Sequence, residues 1–314
     1  MKTRKRIGLA LGSGSSRGWA HIGVIEALEE EGIVIDFIAG ASIGSYVGAL
    51  YAAGSMKSLK DFIIKMDGKR VFSYFDVTFP RSGFLNGTRK VKELYYMHTR
   101  VEDFSELDIP VKMVATELET GDKVVIDSGS IVDALRATMS VPGMFEPALV
   151  NGRWLVDGGL VDPVPVGVAR AMGADIVIAV DLNSGLTNRR RLRGKSEKKE
   201  HLVNWNRGYD SEFIRKLTEQ YEKLGYAVKE RLGQRFSRDT SVPHIMDVVG
   251  TSINIMQERI ARINLAVEPA DVLIQPRLSD LSMMDFDQVE RAIEEGYTRM
   301  KDRIEELRSL LQEE

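Results

Sequence analysis

The chain has 314 residues, of which 43% are hydrophobic, and a formal net charge of −3. This length is sufficient to bury a sizeable core in one large domain or two small ones. The charge balance, with a pI near 6.0, shows no basic footprint for nucleic acid. Because the chain has no cysteine, disulfide bonds, thiol catalysis and cysteine-based zinc sites are excluded.

The first apolar run, Ile7–Leu11, predicts a β-strand, and residues 19–31 predict a helix. Basic residues precede the strand, but the apolar run is too short for a secretory signal. We therefore expect a cytoplasmic protein.

A glycine-rich turn joins this strand to this helix and contains Gly12, Gly14, Arg17 and Gly18. Backbone N–H groups in such a turn point into one space, and the helix dipole adds positive potential, so the turn favours an anion. A dinucleotide site is the alternative interpretation, but Arg17 stands where the G-x-G-x-x-G pattern needs its third glycine. With a nucleophile close by in the fold, the turn would instead serve as an oxyanion hole.

The next stretch, residues 37–56, carries no charge and is long enough to cross a bilayer. Gly40, Gly44 and Gly48 even repeat the small-xxx-small spacing of packed membrane helices. The stretch has few large aliphatic residues among its glycines and serines, so its tendency to insert is small. A membrane span is therefore the weaker interpretation.

The same stretch contains the G-x-S-x-G pattern of a nucleophile elbow, from Gly40 to Gly44. In an elbow, a strand turns sharply into a helix at the serine, and larger neighbours would block both the turn and the substrate. We predict the strand at residues 33–39 and the helix at residues 46–53. Ser42 is then the candidate nucleophile.

Strand-length apolar runs and helical patterns alternate further along the chain, to about residue 183. They predict strands at residues 111–116, residues 124–127 and Ile176–Val180, and a short helix at residues 131–139. Such alternation is typical of an α/β sheet with helices on both faces. Active residues would lie at the carboxyl ends of its strands.

A serine hydroxyl needs a neighbouring base, and the chain offers four histidines, His21, His98, His201 and His244. We interpret His21, inside the first helix, as a packing or capping residue, and His98 as lying at a helix end. Either of the other two would suit a late base in an α/β-hydrolase triad. However, Ser42 follows only one strand and one helix, which is earlier than in that family.

A carboxylate is the alternative base, and Asp157-Gly158-Gly159 follows a short apolar strand. Its glycines allow another part of the backbone to come close. Alone, the pattern is an ordinary Asp-Gly turn, but its occurrence with the glycine turn and the elbow favours a catalytic interpretation. Asp181, after the strand Ile176–Val180, is interpreted as a strand-end residue.

Together, the glycine turn, the elbow and the D-G-G motif resemble the patatin-like phospholipase family, over about residues 7–183. The segment at residues 134–147, ALRATMSVPGMFEP, resembles the family's connection between elbow and acid. The resemblance implies a three-layer α/β/α fold with a Ser-Asp dyad, to which we add a helical C-terminal extension. It further implies acyl transfer to Ser42, with Asp157 as base and without a metal or organic cofactor.

The resemblance also assigns the glycine turn as the oxyanion hole, with the N–H groups of about Ser13 to Ser15 as donors. The turn departs from the common G-G-G-x-R-G at Ser13 and Ser15, which tolerate positive φ poorly. Arg17 orients the loop, binds a lipid phosphate or pairs with a carboxylate at the edge of the core. The oxyanion and substrate-binding candidates are Gly12, Ser13, Gly14, Ser15, Arg17 and Gly18, and the other motif glycines are Gly40, Gly44, Gly158 and Gly159.

The composition changes near residue 186, and we divide the chain there. Residues 1–185 form the catalytic core, residues 186–240 an insertion, and residues 241–314 a strand and helices that complete the core. The insertion has a basic segment at residues 189–199 and then apolar residues at helical spacing, namely Phe213, Leu217, Tyr221, Leu224 and Val228. This helix packs on the body or serves as a lid or membrane contact; both interpretations stay open.

The final segment predicts a buried strand within residues 269–278 and one amphipathic helix at residues 287–314. The inward side chains of this helix would be Val289, Ile293, Tyr297, Met300, Ile304 and Leu307.

The sequence therefore predicts an acyl hydrolase of phospholipase, lysophospholipase or esterase type, with a lipid or ester substrate. The basic segment is either a peripheral membrane contact or a solvated loop, and both interpretations stay open. A catalytically weak, lipid-binding regulatory protein is one alternative. An α/β-hydrolase esterase with a Ser-Asp-His triad is the other. The sequence does not indicate an oligomeric state.

Overall fold

The computed structural model of the chain describes residues 4–65, 87–186, 245–283 and 285–312. Eight β-strands of these ranges form one sheet. The strands are β1 Ile7–Leu11, β2 Phe37–Ala41, β3 Val111–Glu117, β4 Lys123–Ile126, β5 Ala148–Val150, β6 Arg153–Asp157, β7 Ile176–Val180 and β8 Val272–Ile274. The α-helices of the same ranges are α1 Ala20–Glu30, α2 Ile43–Ala52, α3 Met56–Lys65, α4 Gly87–Tyr96, α5 Ile131–Thr138, α6 Val166–Ala171, α7 Ile245–Val267, α8 Val289–Lys301 and α9 Ile304–Gln312.

The sheet is mixed, with a parallel centre and an antiparallel side. Hydrogen-bonded neighbours follow the order β5-β6-β3-β2-β1-β7-β8, and β4 also pairs with β3. The strands β3, β2, β1, β7 and β8 are parallel, whereas β4, β5 and β6 pair antiparallel. The carboxyl ends of the parallel strands share one edge, where α/β proteins place their active residues.

Helices cover both faces of this sheet. Because successive residues of a strand point to opposite faces, Leu9 and Leu11 of β1 pack in one core and Ala10 packs in another. The first core includes residues of α1, α2 and α8, and the second includes residues of α6 and α7. This arrangement confirms the predicted three-layer α/β/α fold.

The strands β2 and β6 meet end to end, which brings together two distant parts of the sequence. Ala41 of β2 pairs with Val114 of β3, and Asp157 of β6 pairs with the next residue of β3, Ala115. Strand β4 occupies the other side of β3 at both positions. Therefore β2 and β6 lie on the same side of β3, and the last residue of β6 faces the turn that follows β2.

The predicted elements differ from the structure most clearly at the elbow. The strand predicted at residues 33–39 lies later, at Phe37–Ala41, and the helix predicted at residues 46–53 begins earlier, at Ile43. The reason is that the ladder with β1 extends to Gly40 and the ladder with β3 extends to Ala41, the residue before the serine. The chain therefore reverses at Ser42 alone.

The predicted terminal helix at residues 287–314 is wrong in its continuity, because it consists of α8 and α9 with a turn at Asp302 and Arg303. Its inward residues are buried as predicted, apart from Tyr297, which is half-buried. Both helices contribute to the same core, so the hydrophobic period continues across the turn. The predicted last strand is confirmed as β8.

Helices α1 and α8 pack unusually closely, through a glycine on each helix. A Cβ atom on Gly23 would lie 1.9 Å from the carbonyl oxygen of Ile293, and one on Gly296 would lie 2.0 Å from that of Ala20. Both distances are far below van der Waals contact, so no other residue fits at either position without a shift of backbone. This contact fixes α8 against the helix that follows the glycine turn.

The chain divides into two compact units, Met1–Arg189 with Val249–Glu314, and Arg190–Val248. The predicted insertion at residues 186–240, with its basic segment and amphipathic helix, lies almost entirely outside the described residues and stays a prediction. Among the residues that the structure describes, no helix is both long and apolar enough to span a membrane. The uncharged stretch at residues 37–56 instead contains β2, the elbow and α2.

Candidate active site

Ser42 forms the turn between β2 and α2 and is nearly buried, with 8% of its surface exposed. Its backbone has φ 54° and ψ −123°, a sparsely populated combination for a residue with a side chain. The flanking glycines are sterically required. A Cβ atom on Gly40 would lie 2.6 Å from the backbone of Ser45, and one on Gly44 would lie 2.1 Å from the carbonyl oxygen of Leu11.

Asp157, at the end of β6, accepts a hydrogen bond from the serine hydroxyl. The distance between Ser42 Oγ and Asp157 Oδ2 is 2.5 Å, and Asp157 Oδ1 accepts from the N–H of Gly159 at 2.8 Å. The carboxyl group is buried, with 1% of the residue exposed. Burial raises the pKa of Asp157 to about 6, while the hydrogen bonds from Ser42 and Gly159 oppose this rise.

Hydrogen bonds from the segment between the elbow and the acid, and from β3, fix the backbone of Asp157. The N–H of Asp157 donates to the carbonyl oxygen of Ser140 at 3.0 Å, and Thr116 Oγ1 donates to the carbonyl oxygen of Asp157 at 2.8 Å. The buried guanidinium of Arg136 donates to Ser140 Oγ and to the carbonyl oxygen of Glu146. Residues 136–146 are therefore a folded support for the acid, which the sequence motif alone did not reveal.

The glycine turn approaches the same edge, but not all of its predicted donors are free. The N–H of Ser13 donates to the carbonyl oxygen of Pro163 at 2.8 Å, and that of Gly12 donates to a carbonyl of β7 at 3.1 Å. In the described part of the chain, the N–H groups of Gly14 and Ser15 have no acceptor. The candidate oxyanion donors thus narrow from Ser13–Ser15 to Gly14 and Ser15.

The turn has serines at two positions where the common family motif has glycines. Of these two, only Ser15 adopts a positive φ, and Ser13 does not. Ser15 takes the positive φ, 53°, and its hydroxyl donates to the carbonyl oxygen of Met283 at 2.7 Å. Gly14 has φ 169°, outside the left-handed region, and a glycine is needed there for space, because a Cβ would lie 2.7 Å from Leu182. Gly18 is required for the same reason, since its Cβ would lie 2.1 Å from the side chain of Ile43.

Arg17 is fully buried and bonds within the protein. Its Nε donates to the carbonyl oxygen of Gly14 at 3.1 Å, and its Nη2 donates to Asn183 Oδ1 and Asn254 Oδ1, both at 3.3 Å. With 0% of its surface exposed, Arg17 cannot reach a lipid phosphate in this conformation. This geometry supports orientation of the loop. Pairing with a carboxylate also stays open, because the charge of Arg17 acts on Asp181, where it opposes the rise in pKa that burial causes.

The described histidines do not contact the serine hydroxyl. His21 Nε2 lies 2.8 Å from the carbonyl oxygen of Gly12, and burial lowers its pKa to about 4. His98 Nδ1 lies 2.9 Å from Ser58 Oγ. His201 and His244 lie outside the described residues, so the triad alternative rests on them alone.

Asp181, the other carboxylate considered, bonds to its own surroundings after β7. Its Oδ1 accepts from the N–H of Asn183 at 2.9 Å, and its Oδ2 accepts from Gln275 Nε2 at 3.0 Å. These contacts agree with a strand-end residue. Asn183 and Asn254 were not predicted from the sequence, although Asn183 stands at the carboxyl edge where such residues are expected.

The fold and this site define an α/β/α protein with a serine elbow facing a buried aspartate and a glycine turn. A sequence profile of the patatin-like phospholipase family matches residues 9–170, which is more than half of the chain. The chain belongs to this family.

Similarity over most of the chain is found with a bacterial relative. An uncharacterized NTE family protein of Mycobacterium bovis is 31% identical over 319 aligned residues, which cover 92% of this chain and 88% of the relative. Lysophospholipase NTE1 of Yarrowia lipolytica is 37% identical over 185 residues, which are 57% of this chain and only 13% of that protein. The crystal structure of VipD from Legionella pneumophila aligns with 99% of this chain and 67% of its own, at 13% identity and a TM-score of 0.48.

Proposed function

We propose that the chain is a serine acyl hydrolase that cleaves acyl esters of phospholipids or lysophospholipids, with Ser42 as nucleophile and Asp157 as base. The observation that carries this proposal is the 2.5 Å hydrogen bond between Ser42 Oγ and Asp157 Oδ2 in a buried elbow. Family membership supports a lipid ester as the substrate class. The name of the Yarrowia relative points the same way, although this chain spans 13% of that protein.

The first half-reaction forms an acyl-enzyme. Ser42 Oγ attacks the ester carbonyl carbon, and its proton passes to Asp157 Oδ2 along the existing hydrogen bond. The carbonyl oxygen becomes an oxyanion, which the N–H groups of Gly14 and Ser15 stabilise. When the carbon–oxygen bond to the leaving alcohol breaks, Asp157 returns the proton to that alcohol, and the acyl group stays on Ser42.

The second half-reaction is hydrolysis of this acyl-enzyme. Asp157 takes a proton from a water molecule, the resulting nucleophile attacks the acyl carbon, and the same N–H groups stabilise the second oxyanion. The bond to Ser42 Oγ then breaks, and Asp157 returns the proton to it. A pKa near 6 suits this cycle, because the carboxyl is mostly ionised at neutral pH yet is a stronger base than an ordinary aspartate.

We also propose that the chain contacts lipid surfaces with an apolar row formed by Leu118, directly after β3, Trp154 of β6 and Leu149 of β5. The N–H of Leu118 donates to the carbonyl oxygen of Trp154 at 2.8 Å, and Leu149 pairs with Trp154 across the hairpin. The three side chains are 53%, 44% and 59% exposed. Exposed apolar rows of this kind are typical of interaction surfaces.

The position of this apolar row favours a lipid surface as its partner. Strand β3 extends beyond the end of β2, and β6 pairs with that extension, so the row lies past the sheet edge at which Ser42 stands. Lipid substrates are held in bilayers or micelles, and a tryptophan with apolar neighbours binds well at such an interface. For the basic segment at residues 189–199, a membrane contact and a solvated loop both stay open.

Release of fatty acid tests the hydrolase proposal directly. The full chain is incubated with a lysophospholipid, a diacyl phospholipid and p-nitrophenyl esters, with Ser42→Ala as the matched variant. We expect the wild-type chain to release fatty acid from at least one lipid and Ser42→Ala to lose the activity. A folded wild-type chain that binds these lipids but hydrolyses none would support the lipid-binding alternative instead.

A further inference from the structure

Helix α5 lies in the connection between the elbow and Asp157, and its last residue is Thr138, which is fully buried. This threonine forms a hydrogen bond with the candidate nucleophile. Thr138 Oγ1 accepts a hydrogen bond from the backbone N–H of Ser42 at 2.9 Å and donates its own proton to the carbonyl oxygen of Val114. Ser45 Oγ lies 3.3 Å from the same atom. Since a hydroxyl has one proton, and Val114 receives it, Ser45 is the donor in this third contact.

Ser42 needs such a partner for two reasons. Its N–H precedes the first turn of α2, so the helix offers no acceptor, and a buried N–H left without one is costly. Its backbone also has a positive φ of 54°, a conformation that persists only where the surroundings hold it in place. Thr138 meets both needs through one hydrogen bond.

The carbonyl group of Val114 connects this contact to the acid. A Cβ atom on Gly158 would lie 2.1 Å from the Val114 carbonyl oxygen, so the turn that follows Asp157 packs directly on that carbonyl. The same oxygen accepts the hydroxyl proton of Thr138. The Val114 carbonyl of β3 therefore contacts both Thr138, which bonds to Ser42, and the turn that follows Asp157.

We propose that Thr138 is a positioning residue for the nucleophile. It fixes the backbone of Ser42 relative to β3 and so sets the distance between Ser42 Oγ and Asp157 Oδ2. This inference rests on the proposed Ser42–Asp157 dyad. Thr138 has none of its surface exposed, and its hydroxyl is engaged by Ser42, Ser45 and Val114, so it acts through Ser42 and not on the substrate.

The test compares Thr138→Val, which keeps the shape and removes the hydroxyl, with Thr138→Ser, which keeps the hydroxyl. On a soluble short-chain ester, we expect Thr138→Val to lower kcat by about 10–10²-fold with little change in KM, because a small misplacement of reacting groups costs this much. Thr138→Ser should stay within about threefold of the wild-type kcat, because it keeps the bond to the Ser42 N–H. The rate of fluorophosphonate labelling at Ser42 should fall in parallel with kcat.

Ser55→Ala is the matched control for loss of a buried hydroxyl. Ser55 Oγ donates to the carbonyl oxygen of Ala53 at 3.2 Å, beyond the opposite end of α2. This variant should leave kcat unchanged, even where its thermal unfolding temperature falls as much as that of Thr138→Val. Should Thr138→Val not fold, Thr138→Cys replaces it, since a thiol is a weak acceptor of similar size, and an intermediate kcat is expected.

An unchanged kcat in Thr138→Val or Thr138→Cys, or a loss in Thr138→Ser equal to that in Thr138→Val, would overturn the positioning proposal. If Ser42→Ala and Asp157→Asn are both inactive in the same assay, the dyad proposal stands in spite of that failure. If Ser42→Ala keeps its activity, the dyad proposal itself is wrong, and the inference on Thr138 falls with it.

Discussion

At the scale of single residues, the burial of Asp157 determines the pH range in which the proposed base is active. A base acts in its ionised form, and burial raises the pKa of Asp157 from 3.8 to about 6. Protonation below that pH removes the acceptor for the serine proton. We expect kcat/KM on a soluble ester to rise about tenfold per pH unit below pH 6 and to level off above pH 7. A profile that stays flat down to pH 5 would contradict a raised pKa.

His21 determines the lowest pH at which this activity profile can be measured on the folded chain. Its pKa in the folded chain is lowered from 6.5 to about 4, so the unfolded state binds the proton more tightly. The stability that neutral His21 provides is fully present above pH 6.5 and is lost as the pH falls towards 4. Unfolding must therefore be followed at each pH, so that loss of the fold is not taken for protonation of Asp157.

The sequence alone anticipates the contact between Ser42 and Asp157 but not the residues that support it. The motif glycines carry that information, because each stands where another backbone or side chain comes within about 2–3 Å of its missing Cβ. Thr138, Asn183 and Asn254 have no such signature. Buried hydrogen-bond partners depend on the three-dimensional arrangement, and a lone threonine or asparagine fits many other positions equally well.

At the scale of elements, the strands of the parallel centre were the most predictable part of the chain. Strands Ile7–Leu11 and Ile176–Val180 are found where their apolar runs place them, because both are buried on both faces. The short strand β5 and the helix α7 were not predicted. Helix α7 buries polar residues such as Asn254 and Gln257, so its inward face has no clear apolar period.

The glycine contact between α1 and α8 gives a prediction for the stability of this layer. Gly23→Ala places a methyl group 1.9 Å from a backbone carbonyl oxygen of α8, which we expect to lower the free energy of unfolding by about 1–3 kcal/mol. Gly250→Ala, in α7, is the matched control, because its nearest neighbour among the described residues is Met283 at 3.8 Å. The control should be neutral or stabilising. Equal stability of both variants in urea unfolding would contradict the close helix contact.

At the scale of the whole molecule, the site and the apolar row share one edge of the sheet, and this gives a prediction for activity on lipid surfaces. Trp154→Ser should lower the rate on phospholipid vesicles by about fivefold or more while the rate on a soluble ester stays within twofold, because it removes apolar contact area only. Val34→Ser is the control, since Val34 is 58% exposed but precedes β2 at the opposite edge. Vesicle co-sedimentation measures binding in parallel. An equal effect of both variants would rule out a specific role for the row.

The sequence is sufficient to predict the overall architecture but not the details of strand pairing. Alternating strands and helices indicate an α/β sheet, and the motifs locate its active edge. The end-to-end meeting of β2 and β6 could not be predicted, because it depends on which side of β3 each strand pairs with. That pairing places a residue of β6 next to a turn 115 positions earlier in the chain.

The most direct test of the proposed dyad is the rate and position of fluorophosphonate labelling in three forms of the full chain. Peptide mapping should locate the adduct on Ser42 of the wild-type chain. Asp157→Asn should label about 10²–10⁴-fold more slowly with its fold intact, because the serine has lost its base. The double variant His201→Ala with His244→Ala should label within about tenfold of the wild type. An adduct on another serine, an unchanged rate in Asp157→Asn, or a collapse in the double histidine variant would contradict a Ser42–Asp157 dyad.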